Sequence, residues 1–268
     1  MTSWTTDRVT VVTVLLAALG LAGCADEGGS ATARRTPLGT FSSPPFVVNL
    51  YMSRGLGTGA NAIYARITDD VTGAAVPDLL VTLAPSSAIG GPSSCPVTGP
   101  MRYDPAESTY STTAVFQAPG QWNATVRISR PGLADVEGMV YGWFVSETGA
   151  ARTFTADGGA TAYVLSVNFP SGVAVGSSRD VVTLHSSVDG GTSWLPADDA
   201  SFRMRTWKPS SGEESTLGTA PELVSDGLYV GAVNFRSPGS WLVDVTVERA
   251  GAILATVPPQ PFSFACEP

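Results

Sequence analysis

Alternation of apolar and polar residues with a period of two dominates the chain after its first few dozen positions. In Tyr110–Phe116 the set Tyr110, Thr112, Ala114 and Phe116 falls on one face of a strand. In Trp122–Ile128 the set Trp122, Ala124, Val126 and Ile128 points one way, and Gln121, Asn123, Thr125 and Arg127 point the other. That is the pattern of an antiparallel sheet with one face in a core. The same writing recurs downstream. Tyr110, Phe116, Pro119, Gly120, Trp122 and Val126 reappear as Tyr229, Phe235, Pro238, Gly239, Trp241 and Val245, every pair separated by 119 residues (229 minus 110 for the first). In the second copy Tyr229, Gly231, Val233 and Phe235 share a face, as do Trp241, Val243, Val245 and Val247. Between the two patterned strands of each copy, Pro-Gly marks a tight turn.

Further alternating runs predict strands at 46–52, 61–68, 79–84 and 137–145 in the first copy. In the second they predict strands at 163–169, 180–187, 201–207 and 262–265. Six or seven short strands per copy, with Gly and Pro frequent between them, predict two tandem immunoglobulin-like antiparallel β-sandwiches in an all-β chain. The expected boundaries are residues 45–148 for the first and 149–268 for the second, meeting at the polar stretch Glu147-Thr148-Gly149.

The N-terminus is written differently. Val9–Gly23 is an apolar run too short for a comfortable membrane span and fits the core of an export signal. It closes on Leu21-Ala22-Gly23-Cys24, which resembles the bacterial lipobox. That resemblance implies that residues 1–23 are removed and that Cys24 carries the acyl chains, anchoring the protein to a membrane. Residues 24–44 read as a flexible tether, since 25–44 are small and polar. Ala25, where an aspartate would retain a lipoprotein at the inner membrane, points to the outer membrane if the cell is Gram-negative. The expected place is therefore the cell envelope, facing the periplasm or the surface, with another envelope protein or polymer as partner.

Charge narrows the field. Charged residues are 14% of the chain and the net formal charge is −8, with Lys208 the single lysine and no basic cluster, so nucleic acid is excluded as a partner. An exported chain with Cys95 and Cys266 left after lipidation meets an oxidising compartment, where either a Cys95–Cys266 bridge or two separate buried thiols fits.

Chemistry-bearing residues are sparse. His185 is the one histidine, so a catalytic triad or a histidine-rich metal site has nothing else to build on. No nucleophile elbow, phosphate loop or dinucleotide fingerprint occurs, so the chain reads as a non-enzyme with no cofactor. A surface or interdomain place is expected for His185. Adjacent carboxylates at Asp69-Asp70, Asp198-Asp199 and Glu213-Glu214 point opposite ways on a strand, and Asp189 with Asp198 and Asp199 is the one grouping with calcium-like oxygen chemistry. Trp194 and Trp207 flank loops and offer stacking faces for a sugar, a carbohydrate-binding alternative.

The pattern Gly-Leu-Tyr-x-Gly-x-Val-x-Phe, then Pro-Gly-x-Trp and a Val-rich strand, at Gly227–Val247, resembles the YtkA-like domain of bacterial envelope lipoproteins, a small β-sandwich. The upstream stretch Met204–Ser215 is similar to that family's loop, which in many members reads Trp-Met-Pro-x-Met-Gly-His. The resemblance implies a copper-handling accessory role as an alternative. Here Lys208, Ser211 and Glu213 stand at the matching positions, and the comparable first-copy stretch Pro85–Gly91 carries no soft ligands either. The remaining candidate metal ligands are His185, Met101 and Met204.

Overall fold

A computed structural model describes residues 35–52, 55–88 and 94–268, as one compact unit. The expected export signal, Cys24 and residues 25–34 of the expected tether lie outside the described residues. The first sandwich contains β1 (Thr36–Ser43), β2 (Phe46–Met52), β3 (Gly59–Asp69), β4 (Leu80–Ser87), β5 (Arg102–Asp104), β6 (Thr109–Phe116), β7 (Gly120–Ser129) and β8 (Val136–Val145). Its sheets run in the orders β1-β2-β3-β6-β5 and β4-β7-β8. The second contains β9 (Ala151–Ala156), β10 (Thr161–Asn168), β11 (Val173–Ala174), β12 (Gly176–Ser187), β13 (Leu195–Pro196), β14 (Ala200–Lys208), β15 (Glu213–Glu214), β16 (Thr216–Ser225), β17 (Leu228–Phe235), β18 (Gly239–Arg249) and β19 (Ala252–Glu267). Its sheets run β16-β17-β12-β10-β9 and β11-β19-β18-β14-β15, with β13 pairing β12. Replacing β1, β2, β3, β6 and β5 by β9, β10, β12, β17 and β16 reproduces one sheet order. Replacing β4, β7 and β8 by β14, β18 and β19 reproduces the other. The 119-residue repeat is thus a repeat of whole topology. The strand pairs are antiparallel, apart from the two-residue β11–β19 contact.

The repeated side chains make the same bonds twice. Tyr110 donates its hydroxyl to Val76 O (2.9 Å) and accepts from Leu79 N (3.1 Å). Tyr229 likewise donates to Ala197 O and accepts from Ala200 N. Trp122 Nε1 donates to Ala118 O at 3.2 Å, and Trp241 Nε1 to Ser237 O at 3.0 Å. Phe116 meets Trp122 edge-to-face at 5.1 Å, and Phe235 meets Trp241 at 5.5 Å. Each tyrosine and tryptophan buries its ring while its polar atom finds a backbone partner, which is how such residues enter a core without a desolvation cost.

One expectation is corrected. The first sandwich begins before residue 45: Thr36–Ser43, assigned to the tether, is a paired edge strand. Leu38 and Phe41 pack against the core, but a register shift between Pro37 and Gly39 breaks their alternation and hides the strand from a period-two reading. Phe41 sits so close to β8 that a side chain at Gly138 would overlap its ring. Of the two alternatives open for the cysteines, the structure holds the separate thiols. Cys95 and Cys266 are free buried thiols in the separate cores of the two sandwiches, each packing as a small apolar residue. Burial raises both thiols above their ordinary range.

Candidate functional site

The sandwiches are latched together at their junction. Thr148 Oγ1 donates to Thr58 O (2.7 Å), Thr148 N donates to Thr58 Oγ1 (3.0 Å), and Thr58 Oγ1 donates to Glu147 Oε1 (3.0 Å). Asn61 Nδ2 bonds Gly57 O and Gly59 O, both at 2.7 Å, holding the approach to β3 in a tight curl. Across to the second sandwich, Asn168 Oδ1 accepts Ala60 N at 2.9 Å. At the far end Ser94 Oγ reaches Gly191 O (3.0 Å) and Thr192 O (2.8 Å), and Arg102 approaches Asp226 at 3.7 Å. Val115 and Val164 are completely buried although each lies on the strand face turned away from its own core. Ser166 and Thr183, buried on the same outward face as Val164, bond each other at 2.6 Å. The stretch Glu147-Thr148-Gly149 is therefore a fixed joint, not a loose linker.

Beside this joint lies a cleft of about 540 Å³. One wall is the outward face of β3 and β6, with Ala60, Ala62 and Thr113; the other is the outward face of β12 and β17, with Arg179, Val181, Leu228 and Val230. Asn61, Thr148 and Asn168 bring polar groups to it, and Phe169 and Phe264 add aromatic surface. A mostly apolar concavity with a few convergent polar groups is the usual form of a small-ligand site. None of the residues singled out in the sequence lines it. A signal for it in the sequence is the set of small residues Gly57, Ala60 and Ala62, which leaves room for one sandwich face to approach the other.

The predicted site residues are dispersed. Met101 is buried in the first core and Met204 in the second, while His185 belongs to neither. No group of three or more metal-binding side chains forms among the described residues. Of the two places expected for His185, the surface is ruled out because the residue is buried: its strand neighbours are Val164 and Pro196, and the Asp226-Gly227 turn lies over the ring, a side chain on Gly227 standing 3.3 Å from it. Neither ring nitrogen meets the geometry of a full hydrogen bond among the described residues, and burial pushes its pKa down to about 4 against the opposing pulls of Asp198 and the Asp226 backbone. In the loop that resembles the YtkA-like family's, Lys208 Nζ donates to Ser237 Oγ (3.1 Å) and Pro238 O (2.6 Å), and Ser237 Oγ donates to Glu213 Oε2 (2.7 Å). A cation and an anion bridged by a hydroxyl thus occupy that loop. Its first-copy counterpart lies partly outside the described residues.

Asp189 accepts from the Ser187 and Ser193 hydroxyls and from Thr192 N and Ser193 N, which lowers its pKa. Asp198 accepts Gly227 N and Asp199 pairs with Arg249, so the three carboxylates close separate turns and pairs. Trp194 stacks beside Gly191 before β14, and Trp207 lies near the end of that strand beside Arg205, so the two tryptophans do not form one platform.

No protein-family model matches the chain, and no curated protein matches it. Among solved structures it is similar to a conserved domain protein from Bacillus anthracis, with 12% identity over 82% of this chain and 84% of that one and a TM-score of 0.33. It is also similar to domains 5–6 of the S-layer protein SbsC, with 12% identity, 86% and 98% coverage and a TM-score of 0.29. A third is the Escherichia coli adhesin FdeC, with 12% identity, 82% of this chain and a TM-score of 0.28; the chain spans 64% of that structure's length. At these scores the superpositions define no common function, and the fold assignment rests on the strand pairing described above.

Proposed function

We propose that this chain is a lipid-anchored protein of the bacterial cell envelope whose two sandwiches work as one rigid, non-enzymatic binding module. The observation that carries the reading is the cleft beside the Thr58–Thr148 latch, with one wall from each sandwich. A preformed concavity binds without the ordering cost that a flexible pair of domains would bear. The lipobox-like Leu21–Cys24 supports the anchor, and Ala25 supports an outer-membrane position in a Gram-negative cell. The Gly227–Val247 pattern supports kinship with YtkA-like domains of envelope lipoproteins. Another envelope protein or polymer is the class of macromolecular partner that such anchoring brings within reach.

Two measurements test this. Membrane fractionation should recover the wild-type protein with membranes and Cys24→Ser in the soluble fraction; retention of Cys24→Ser on membranes overturns the anchor. A photo-crosslinking residue placed at Ala62 should label bound material in cells, whereas the same residue at exposed Val71 should not. Equal labelling from both positions overturns the cleft as the binding site.

A further inference from the structure

We propose that the cleft takes a small amphiphile, an apolar chain ending in a carboxylate, and that Arg179 is its anion anchor. This rests on the cleft reading above and names its ligand chemistry. Among the described residues Arg179 is the single charged side chain in the lining, on a chain whose net charge is −8. Six other arginines, Arg35, Arg102, Arg127, Arg203, Arg205 and Arg249, each hold a carboxylate. Arg179 holds none among the described residues and is exposed.

The strand register explains why a cation there faces open space. Arg179 pairs with Ala232 across β12–β17, and Ala62 pairs with Thr113 across β3–β6. Ala232 and Thr113 are related by the 119-residue repeat (232 minus 113), so Arg179 and Ala62 are equivalent positions of the two sandwiches, and both line the cleft. One copy contributes a short methyl and the other a guanidinium. Val181, Leu228 and Val230 beside Arg179 offer an apolar track for the ligand's chain. A guanidinium fork matches a carboxylate in two parallel hydrogen bonds, which gives the pairing its geometric specificity.

The test uses the purified protein held in lipid nanodiscs, titrated with decanoate or decanol labelled with carbon-13 at C1 and read by NMR, with empty nanodiscs subtracting partition into lipid. Saturable one-to-one decanoate binding is expected, weakened at least about tenfold in Arg179→Gln, as loss of a charged hydrogen-bond donor predicts. Decanol binding should be unchanged by that substitution. If decanoate and decanol bind alike and Arg179→Gln is silent for both, the anion anchor is overturned while the cleft remains a ligand site. If neither binds saturably, the anchor and the cleft reading fall together.

Discussion

Asp180 lies opposite Gly231 in β12–β17, at the place where the first sandwich pairs Ile63 with Thr112. Gly231 and Thr112 are related by the repeat (231 minus 112 is 119), so a core isoleucine of one copy has become a carboxylate in the other. A side chain on Gly231 would stand 2.8 Å from Asp180 Oδ1 and equally close to Thr219 O, so glycine is what leaves room for the acid. Both carboxylate oxygens are buried without a hydrogen-bond partner among the described residues.

Burial raises the Asp180 pKa from 3.8 to about 6. A folded-state pKa above the unfolded value means that folding favours the protonated acid. The cost of ionising it is absent below about pH 3.8 and complete above about pH 6, where it reaches about 3 kcal/mol at most. Asp180→Asn, which keeps the shape and cannot ionise, should stabilise the protein at pH 7.5 and leave it nearly unchanged at pH 3.5. Urea unfolding at the two values checks this, and an equal gain at both would show that the charge is not the cause.

His185 carries the opposite slope. Its pKa falls from 6.5 to about 4, so folding favours the neutral ring, and stability is lost as the pH drops from about 6.5 to about 4. The full loss is about 3 kcal/mol. In the wild type the two slopes oppose each other through this range and largely cancel. Asp180→Asn should therefore make the protein acid-sensitive between pH 6.5 and 4, and adding His185→Gln should flatten the profile again. Melting temperatures of the two variants across that range read this directly.

The aromatic anchors should be costly to remove in either copy. Trp122→Ala and Trp241→Ala each empty a fully buried indole site and should destabilise by about 3–5 kcal/mol. Tyr229→Phe keeps the ring but leaves Ala200 N and Ala197 O unpaired, for a loss of about 1–3 kcal/mol. Chemical denaturation of the variants measures all three.

The joint can be loosened without touching either core. Asn168→Ala removes the acceptor of Ala60 N, and the Ala60 amide should then exchange with solvent at least about tenfold faster, corresponding to roughly 1.4 kcal/mol of lost protection. Exchange at Val126, deep in the first core, should be unchanged. Parallel acceleration at both amides would mean that the substitution unfolds the sandwich and not the joint.

By itself the sequence determined what each strand does toward its own core. The inward sets of Tyr110–Phe116 and Trp122–Ile128 and their second copies, with the aromatic anchors Tyr110, Phe116, Trp122, Tyr229, Phe235 and Trp241, are where alternation placed them, because a pleated strand leaves its side chains only two directions. The edge strand β1 was not legible, since one bulge at Pro37–Gly39 shifts the phase of Leu38 and Phe41. Nor was the burial of Val115 and Val164, or the cleft that Ala62 and Arg179 share. Period two says which side chains face the partner sheet and leaves the opposite face marked only as "out". Whether that outer face meets water or a second sandwich depends on the joint at Thr58 and Thr148, whose bonds connect residues 90 positions apart and exist only once the chain has folded.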